Sequence, residues 1–182
     1  MRRIVPALAV VLLAAGATSC GSKKDNAAPE PTDTLATGAP SSSAGPTAPQ
    51  APLTPPQVVD ALKATGRTCA NELSYVICTS GPVEVWVLTG DHPRPPVLSV
   101  NASGSPAAAR KAISDQLVPA LTAAHVGEAA AVATWFSEQT ADTASTVTGD
   151  WRVELSTEQD SDVPGVHLTL NDTRCKANCQ AE

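Results

Sequence analysis

Alternating apolar and polar residues near the end of the chain indicate a β-hairpin. From Trp151 to Ser156, and again from Val166 to Asn171, every second residue is apolar and the residues between them are polar. A period of two places successive side chains on opposite faces of a strand. The acidic segment 159–162, followed by Pro164, predicts the turn. The hairpin therefore has one apolar and one polar face, as in an antiparallel sheet with one side open to water.

Three further strands are predicted in the first half of the chain. Residues 73–79 are rich in β-forming side chains, Gly81 and Pro82 predict a turn, and alternating valines follow over 83–88. The segment 90–96 contains Gly90 and three prolines, which predicts a loop. A third strand is expected over 97–101.

Helical spacing predicts three helices. The first spans 55–65, with a capping box formed by Thr54 and Gln57 and a stop at Gly66. A second begins after Ser105, and Pro119 is expected to kink or divide it. A third covers about 128–140. The element order is α-β-β-β-α-α-β-β, which predicts a two-layer α+β domain whose antiparallel sheet of about five strands has helices on one face.

This region also resembles domains of actinobacterial exported proteins. The matching features are the helix sequence Ala61-Leu62-Lys63-Ala64, the following Gly66, Cys69 and Cys78 on a hairpin, and the closing hairpin. The resemblance implies a fold and a host type, and it implies no activity.

The start of the chain has the layout of an export signal. Arg2 and Arg3 precede an uncharged apolar stretch over 4–17, which is shorter than the roughly 20 residues that a bilayer-spanning helix needs. The segment Ala17-Thr18-Ser19-Cys20 then resembles the lipobox of bacterial lipoproteins, although Ala17 stands where leucine is commonest. The resemblance implies cleavage after residue 19 and acylation of Cys20. The mature chain would then be anchored by lipid at the extracytoplasmic face of the cell membrane.

An alternative cleavage site competes with the lipobox. Ala15-Gly16-Ala17 fits ordinary signal peptidase, which would release an unanchored protein. The chain has five cysteines, and an exported domain favours an even number. Acylation of Cys20 leaves four, so the cysteine count favours the lipoprotein interpretation.

Composition then divides the mature chain in two. In residues 21–53, Pro, Ala, Ser, Thr and Gly occupy 24 of 33 positions, which predicts that 20–53 is a disordered tether beginning at the lipidated cysteine. Residues 54–182 are expected to form one globular domain. The net charge of −6 becomes −8 without Arg2 and Arg3, which argues against nucleic-acid binding.

The remaining cysteines are Cys69, Cys78, Cys175 and Cys179. Four cysteines allow three pairings, and we expect the two local ones, 69 with 78 and 175 with 179. The motif Cys175-x-x-x-Cys179 also resembles the copper-binding motif of Sco-type assembly factors. It lacks the helix start, the following proline and the βαβ context of that family, so no metal or cofactor is predicted.

No catalytic motif is present. His92, His125 and His167 share no metal-ligand spacing, and the nucleophile and nucleotide-binding signatures are absent. Asp160, Asp162 and Asp172 do not have the spacing of a calcium loop.

Trp86 is expected to pack in the core, with exposure as a binding contact the alternative. We therefore expect no enzyme but a membrane-anchored binding or interaction module. Its partner, an envelope protein or a small ligand, would bind at the open sheet face or at loop 90–96. A small extracytoplasmic enzyme is the alternative.

Overall fold

The computed structural model of the chain describes residues 51–158 and 163–180. The predicted signal segment, Cys20, the tether up to residue 50 and the acidic turn 159–162 lie outside these ranges. Within them the chain forms ten elements: α1 Pro55–Ala64, β1 Thr68–Glu72, β2 Tyr75–Ser80, β3 Val83–Leu88, β4 Val97–Ser103, α2 Pro106–Ala123, α3 Ala129–Glu138, β5 Thr143–Thr148, β6 Trp151–Glu158 and β7 Gly165–Asp172.

The seven strands form one antiparallel sheet in the order β1-β2-β3-β4-β7-β6-β5. Two meanders, β1 to β4 and β5 to β7, meet where β4 pairs with β7. The helical segment between β4 and β5 carries the chain from the middle of the sheet to its far edge. Gly165 permits the close approach of β7 to β4, because a Cβ there would lie 2.8 Å from the carbonyl oxygen of Ala102.

One face of the sheet is covered and holds the hydrophobic core. Val85, Val100 and Leu168 lie side by side across β3, β4 and β7, and none is more than 2% exposed. Apolar residues of all three helices join the same core. Helix α1 packs on β1, β2 and β3, α2 packs on β3, β4 and β7, and α3 packs on α2. The predicted antiparallel α+β architecture is therefore confirmed.

The predicted strand number is too low, since the sheet has seven strands rather than about five. The two that sequence analysis missed, β1 and β5, are the edge strands. Their sequences are TCANE and TASTVT, in which the polar residues leave little apolar alternation. An edge strand has one backbone partner and little core contact, so apolar alternation is weakly required there.

Strand β2 begins two residues later than expected, at Tyr75 rather than at 73. Leu73 has a φ of 51° and is fully exposed in the turn between β1 and β2. Because Leu73 is apolar, its position in the sequence predicted a strand residue, although it lies in the turn. The other predicted strands are present.

The helices follow their predicted positions. In α1 the backbone amide of Thr54 donates to Oε1 of Gln57 at 2.9 Å, which is one half of the predicted capping box. Pro119 lies inside α2 without dividing it. Ala120 and Leu121 are buried just beyond Pro119, and their burial favours continuation of the helix.

The segment just before residue 54, the predicted start of the domain, already contacts the domain. Leu53 packs against the core, and the carbonyl oxygen of Ala51 lies 2.9 Å from Nδ1 of His125. Ala51 and Leu53, which belong to the predicted tether, therefore contact the domain.

Candidate functional site

No helix within residues 51–158 and 163–180 packs on the second face of the sheet, and the side chains of this face form rows across the strands. One row runs Glu84, Asn101, His167, Ser156 through β3, β4, β7 and β6. The neighbouring row runs Trp86, Ser99, Thr169, Glu154 through the same strands. These are the polar positions of the strands whose apolar positions fill the core. The alternation that sequence analysis detected therefore produces both faces.

An aromatic pair stands at one side of this open face. The rings of Tyr75 and Trp86 meet edge to face, with their centroids 5.7 Å apart. Nε1 of Trp86 donates to Oε2 of Glu84 at 2.9 Å, so the indole N–H is satisfied within the protein. Partial burial raises the pKa of Tyr75, because the phenolate is less well solvated there. The structure thus places Trp86 outside the core, contrary to the first expectation from the sequence.

The centre of the face is made of short polar side chains that bond across β4 and β7. The hydroxyls of Ser99 and Thr169 lie 3.3 Å apart. Nδ1 of His167 lies 3.2 Å from Oδ1 of Asn101, whose side chain belongs to a residue only 8% exposed. These cross-strand pairs make the middle of the open face polar, and its side chains project less far than those of the neighbouring strands.

The opposite side of the face is acidic. Glu154 and Glu158 project from β6, and Glu154 accepts a 3.1 Å hydrogen bond from Nδ2 of Asn171. Oε1 of Glu158 lies 3.8 Å from Nε2 of His167. Carboxylates therefore lie on both sides of the short central residues, since Glu84 stands beside Trp86.

Together these residues form a groove that we call the open-face groove. Its floor is β4 and β7, its walls are the side chains of β3 and β6, and its volume is about 660 Å³. Three strand spacings separate β3 from β6, which places the wall backbones about 14 Å apart. This width accommodates one extended chain lying along the strands.

A second concavity, of about 520 Å³, lies between loop 89–96 and residues 172–178. Arg94 occupies its inner side, where Nε donates to Oδ2 of Asp172 at 2.6 Å and Nη2 bonds Oδ1 of the same carboxylate. Arg94 also pairs with Asp150 at 3.4 Å and lies over the ring of Trp151, 4.8 Å from its centroid. The guanidinium is thereby committed to internal partners.

Ionisation in this cluster follows from its contacts. The hydrogen bonds that Arg94 donates to Asp172 contribute most to raising the pKa of Arg94 above its ordinary value. Burial alone would raise the pKa of Asp172. Hydrogen bonds from Arg94 and from the Arg174 backbone amide, with the charges of both arginines, lower it below its usual range. Arg94 and Asp172 thus form a largely buried ion pair that fixes loop 89–96 to the end of β7, which is a structural role.

The four cysteines of the domain lie in two pairs at disulfide distance. Cys69 pairs with Cys78 directly across β1 and β2, and Cys175 pairs with Cys179 after β7. This agrees with the prediction of disulfide bonds between near neighbours. Cys20 lies outside the described residues.

The other chemical candidates are dispersed. His92 lies in loop 89–96, His125 follows α2, and His167 stands in the open-face groove. Within residues 51–158 and 163–180, no three His, Cys, Asp or Glu side chains are grouped to hold a metal ion. Asp172 is bound to Arg94, while Asp160 and Asp162 lie outside those ranges.

Comparisons with known proteins leave the groove to be interpreted from its own geometry. No protein-family model, curated protein or solved structure matches the chain. No helix in the described ranges has both the length and the apolar character needed to cross a bilayer.

Two features of these sites are not predicted by the sequence. Residues 90–96 read as a loop, and nothing in them indicates the ion pair between Arg94 and Asp172, which are 78 residues apart. The meeting of Glu84, Glu154 and Glu158 in one groove is likewise not indicated. The alternation within each strand indicates which residues lie on its polar face. It does not indicate the order of the strands, which brings these residues together.

Proposed function

We propose that the chain is a membrane-anchored lipoprotein of the cell envelope whose domain binds an extracytoplasmic partner or ligand in the open-face groove. The anchor is the acylated Cys20, and the tether beyond it holds the domain away from the bilayer. What supports this anchor is the cysteine count. The four other cysteines pair within the domain, so the unpaired one is the cysteine of the segment that resembles a lipobox.

The observation that carries the binding proposal is the groove itself. Trp86 and Tyr75 sit half-buried, beside a polar floor, on a sheet face that no helix of the described part of the chain covers. Partly exposed aromatic side chains with oriented polar neighbours are common in recognition sites, because the rings give contact area and the polar groups give orientation. The polar floor also keeps the face soluble when it is empty.

The alternative, a small extracytoplasmic enzyme, has less support. Ser156 stands opposite His167 in the register, and Glu158 approaches the same imidazole. However, Ser156 is exposed, and its hydroxyl makes no hydrogen bond within the described part of the chain. A serine nucleophile needs a bonded base and a site that excludes water. This arrangement has neither.

The anchor is tested by detergent partition of the native chain and a Cys20→Ser variant. We expect the native protein in the detergent phase and the variant in the aqueous phase, because two acyl chains hold a protein stably at a membrane. Intact-mass measurement should find the lipid on Cys20. A native protein without lipid in the culture fluid would overturn the anchor.

The binding proposal is tested by site-specific photo-crosslinking in cells. A crosslinking residue at Ser99, on the groove floor, should give a discrete adduct. The same residue at Glu138, an exposed position on α3, should not. Adducts from both positions or from neither would contradict a groove-specific interaction.

A further inference from the structure

The open-face groove presents more acceptors than donors to a ligand. The Trp86 indole N–H is given to Glu84, and Asn171 gives an amide hydrogen to Glu154. What remains toward the groove includes the second carboxylate oxygens and the central hydroxyls. An ammonium or guanidinium group carries several donors and no acceptor, and it therefore complements this arrangement.

The charge of the groove points the same way. Glu84, Glu154 and Glu158 all line it, and none of the described residues that line it is a lysine or an arginine. The nearest basic strand residue is Arg152, two positions before Glu154 on β6 and opposite Asn171. Like charges across an interface are strongly disfavoured, so the groove selects against anionic ligands.

Asn101 supplies an independent observation. Its residue is only 8% exposed, and Oδ1 is occupied by His167. Nδ2 has no hydrogen-bond partner among residues 51–158 and 163–180, and the side chain lines the groove. Nδ2 is not a buried atom, so it is open to the groove and can donate to a carbonyl oxygen of a ligand. A basic peptide has both a backbone carbonyl and cationic side chains.

We infer that the open-face groove binds an extended basic peptide segment, with a cationic side chain over Trp86 beside Glu84 and others at Glu154 and Glu158. The inference rests on the proposed binding function and names the ligand class for that site. Glu154 and Glu158 are four residues apart on one strand, about 13 Å, which equals the spacing of residues four apart in an extended ligand. Trp86 adds a cation–π contact.

The test is fluorescence anisotropy with the purified full chain and a labelled peptide of alternating Lys and Thr. Its acidic counterpart, in which Glu replaces Lys, and a neutral chitin oligosaccharide serve as competitors. The paired variant Glu84→Gln with Glu154→Gln keeps the side-chain shape and removes two charges. We expect it to weaken binding of the basic peptide roughly tenfold at low salt. Trp86→Ala should weaken binding by about fivefold or more.

The matched control is Glu138→Gln with Asp115→Asn, which removes the same charge from exposed positions on α3 and α2. It should change the affinity less than twofold. An equal loss in both paired variants would show diffuse attraction to an acidic protein and would overturn the inference. Displacement of the peptide by the chitin oligosaccharide, or tight binding of the acidic peptide, would overturn it as well.

The crosslinking experiment separates this inference from the proposed function. A groove-specific adduct together with no peptide binding would refute the basic ligand and leave the binding function standing. Absence of an adduct at Ser99 would refute the binding function.

Discussion

The two faces of the central strands differ although they share one backbone. In β4 and β7, Val100 and Leu168 are fully buried on the covered face, while Ser99 and Thr169 on the other face are half-exposed and bond to each other. Adjacent residues therefore have different roles. The covered face stabilises the fold through apolar burial. The open face is less constrained by packing, and it is free to carry binding chemistry.

Substitutions at two adjacent residues test most directly whether the two faces contribute differently to stability. Leu168→Ala leaves a cavity in the core and should lower the free energy of unfolding by about 3 kcal/mol. Thr169→Ala, one residue along and on the open face, should change it by less than about 0.5 kcal/mol. Urea unfolding of both variants measures the difference. Similar losses would mean that the open face is as important for stability as the core.

Breaking the ion pair between Arg94 and Asp172, at the end of the covered face, should lower stability nearly as much. The side chains of Arg94 and Asp172 are 14% and 7% exposed, so Asp172→Asn leaves a largely buried guanidinium short of its main partner. We expect a loss of about 3 kcal/mol. Asp115→Asn, which breaks an exposed pair with Lys111, should cost less than about 0.5 kcal/mol. Equal effects in urea unfolding would contradict the structural role.

The same pair predicts a pH dependence. Because the pKa of Asp172 is lowered in the folded state, the unfolded chain takes up the proton first as pH falls. The contribution is complete above the unfolded value, about pH 4, and is lost as pH falls through the lower folded value. Stability measured from pH 5 to pH 2 should therefore fall less steeply in Asp172→Asn than in the native chain.

The two disulfides also differ in their location, and they should therefore differ in their contribution to stability. Cys78 is fully buried on the covered face, whereas Cys175 and Cys179 follow the last strand and are partly exposed. Replacing Cys69 and Cys78 by alanine should cost about 2–3 kcal/mol. Replacing Cys175 and Cys179 should cost about 1 kcal/mol or less, because a free tail gains entropy in the folded state too. Thermal unfolding of both variants provides the ranking, and a reversed order would refute it.

Substitution of Arg67 should change the free energy of unfolding least, and it should raise it, in contrast to the substitutions above. The residue is 8% exposed, Nη2 donates to Gln116 at 2.8 Å, and Nη1 is buried with no partner among the described residues. Desolvation lowers the pKa of Arg67. Arg67→Met should therefore raise stability by about 1 kcal/mol, since it removes a poorly satisfied buried charge. Arg110→Met, which loses three hydrogen bonds, should lower it. A loss in both variants would show that Arg67 is adequately satisfied.

Part of the fold and of the site could be predicted from local pattern. The capping residues Thr54 and Gln57 and the alternation around Leu168 each express one interaction with near neighbours or with the core. Strand β5 could not be predicted, because TASTVT carries little burial signal at an edge. Trp86 was expected in the core because large aromatic residues are usually buried. The phase of β3, set by its three valines, in fact places it on the open face.

The sequence by itself determined the alternation of faces and the helices, favoured the pairing of nearby cysteines, and predicts the acylated Cys20. Each depends on residues close together in the chain. The tertiary structure alone decided that β4 pairs with β7, and through this pairing that Glu84 and Glu154 share a groove and that Arg94 reaches Asp172. Strand order depends on how helices and strands together bury apolar surface. That is a property of the whole chain and leaves no mark at any single position.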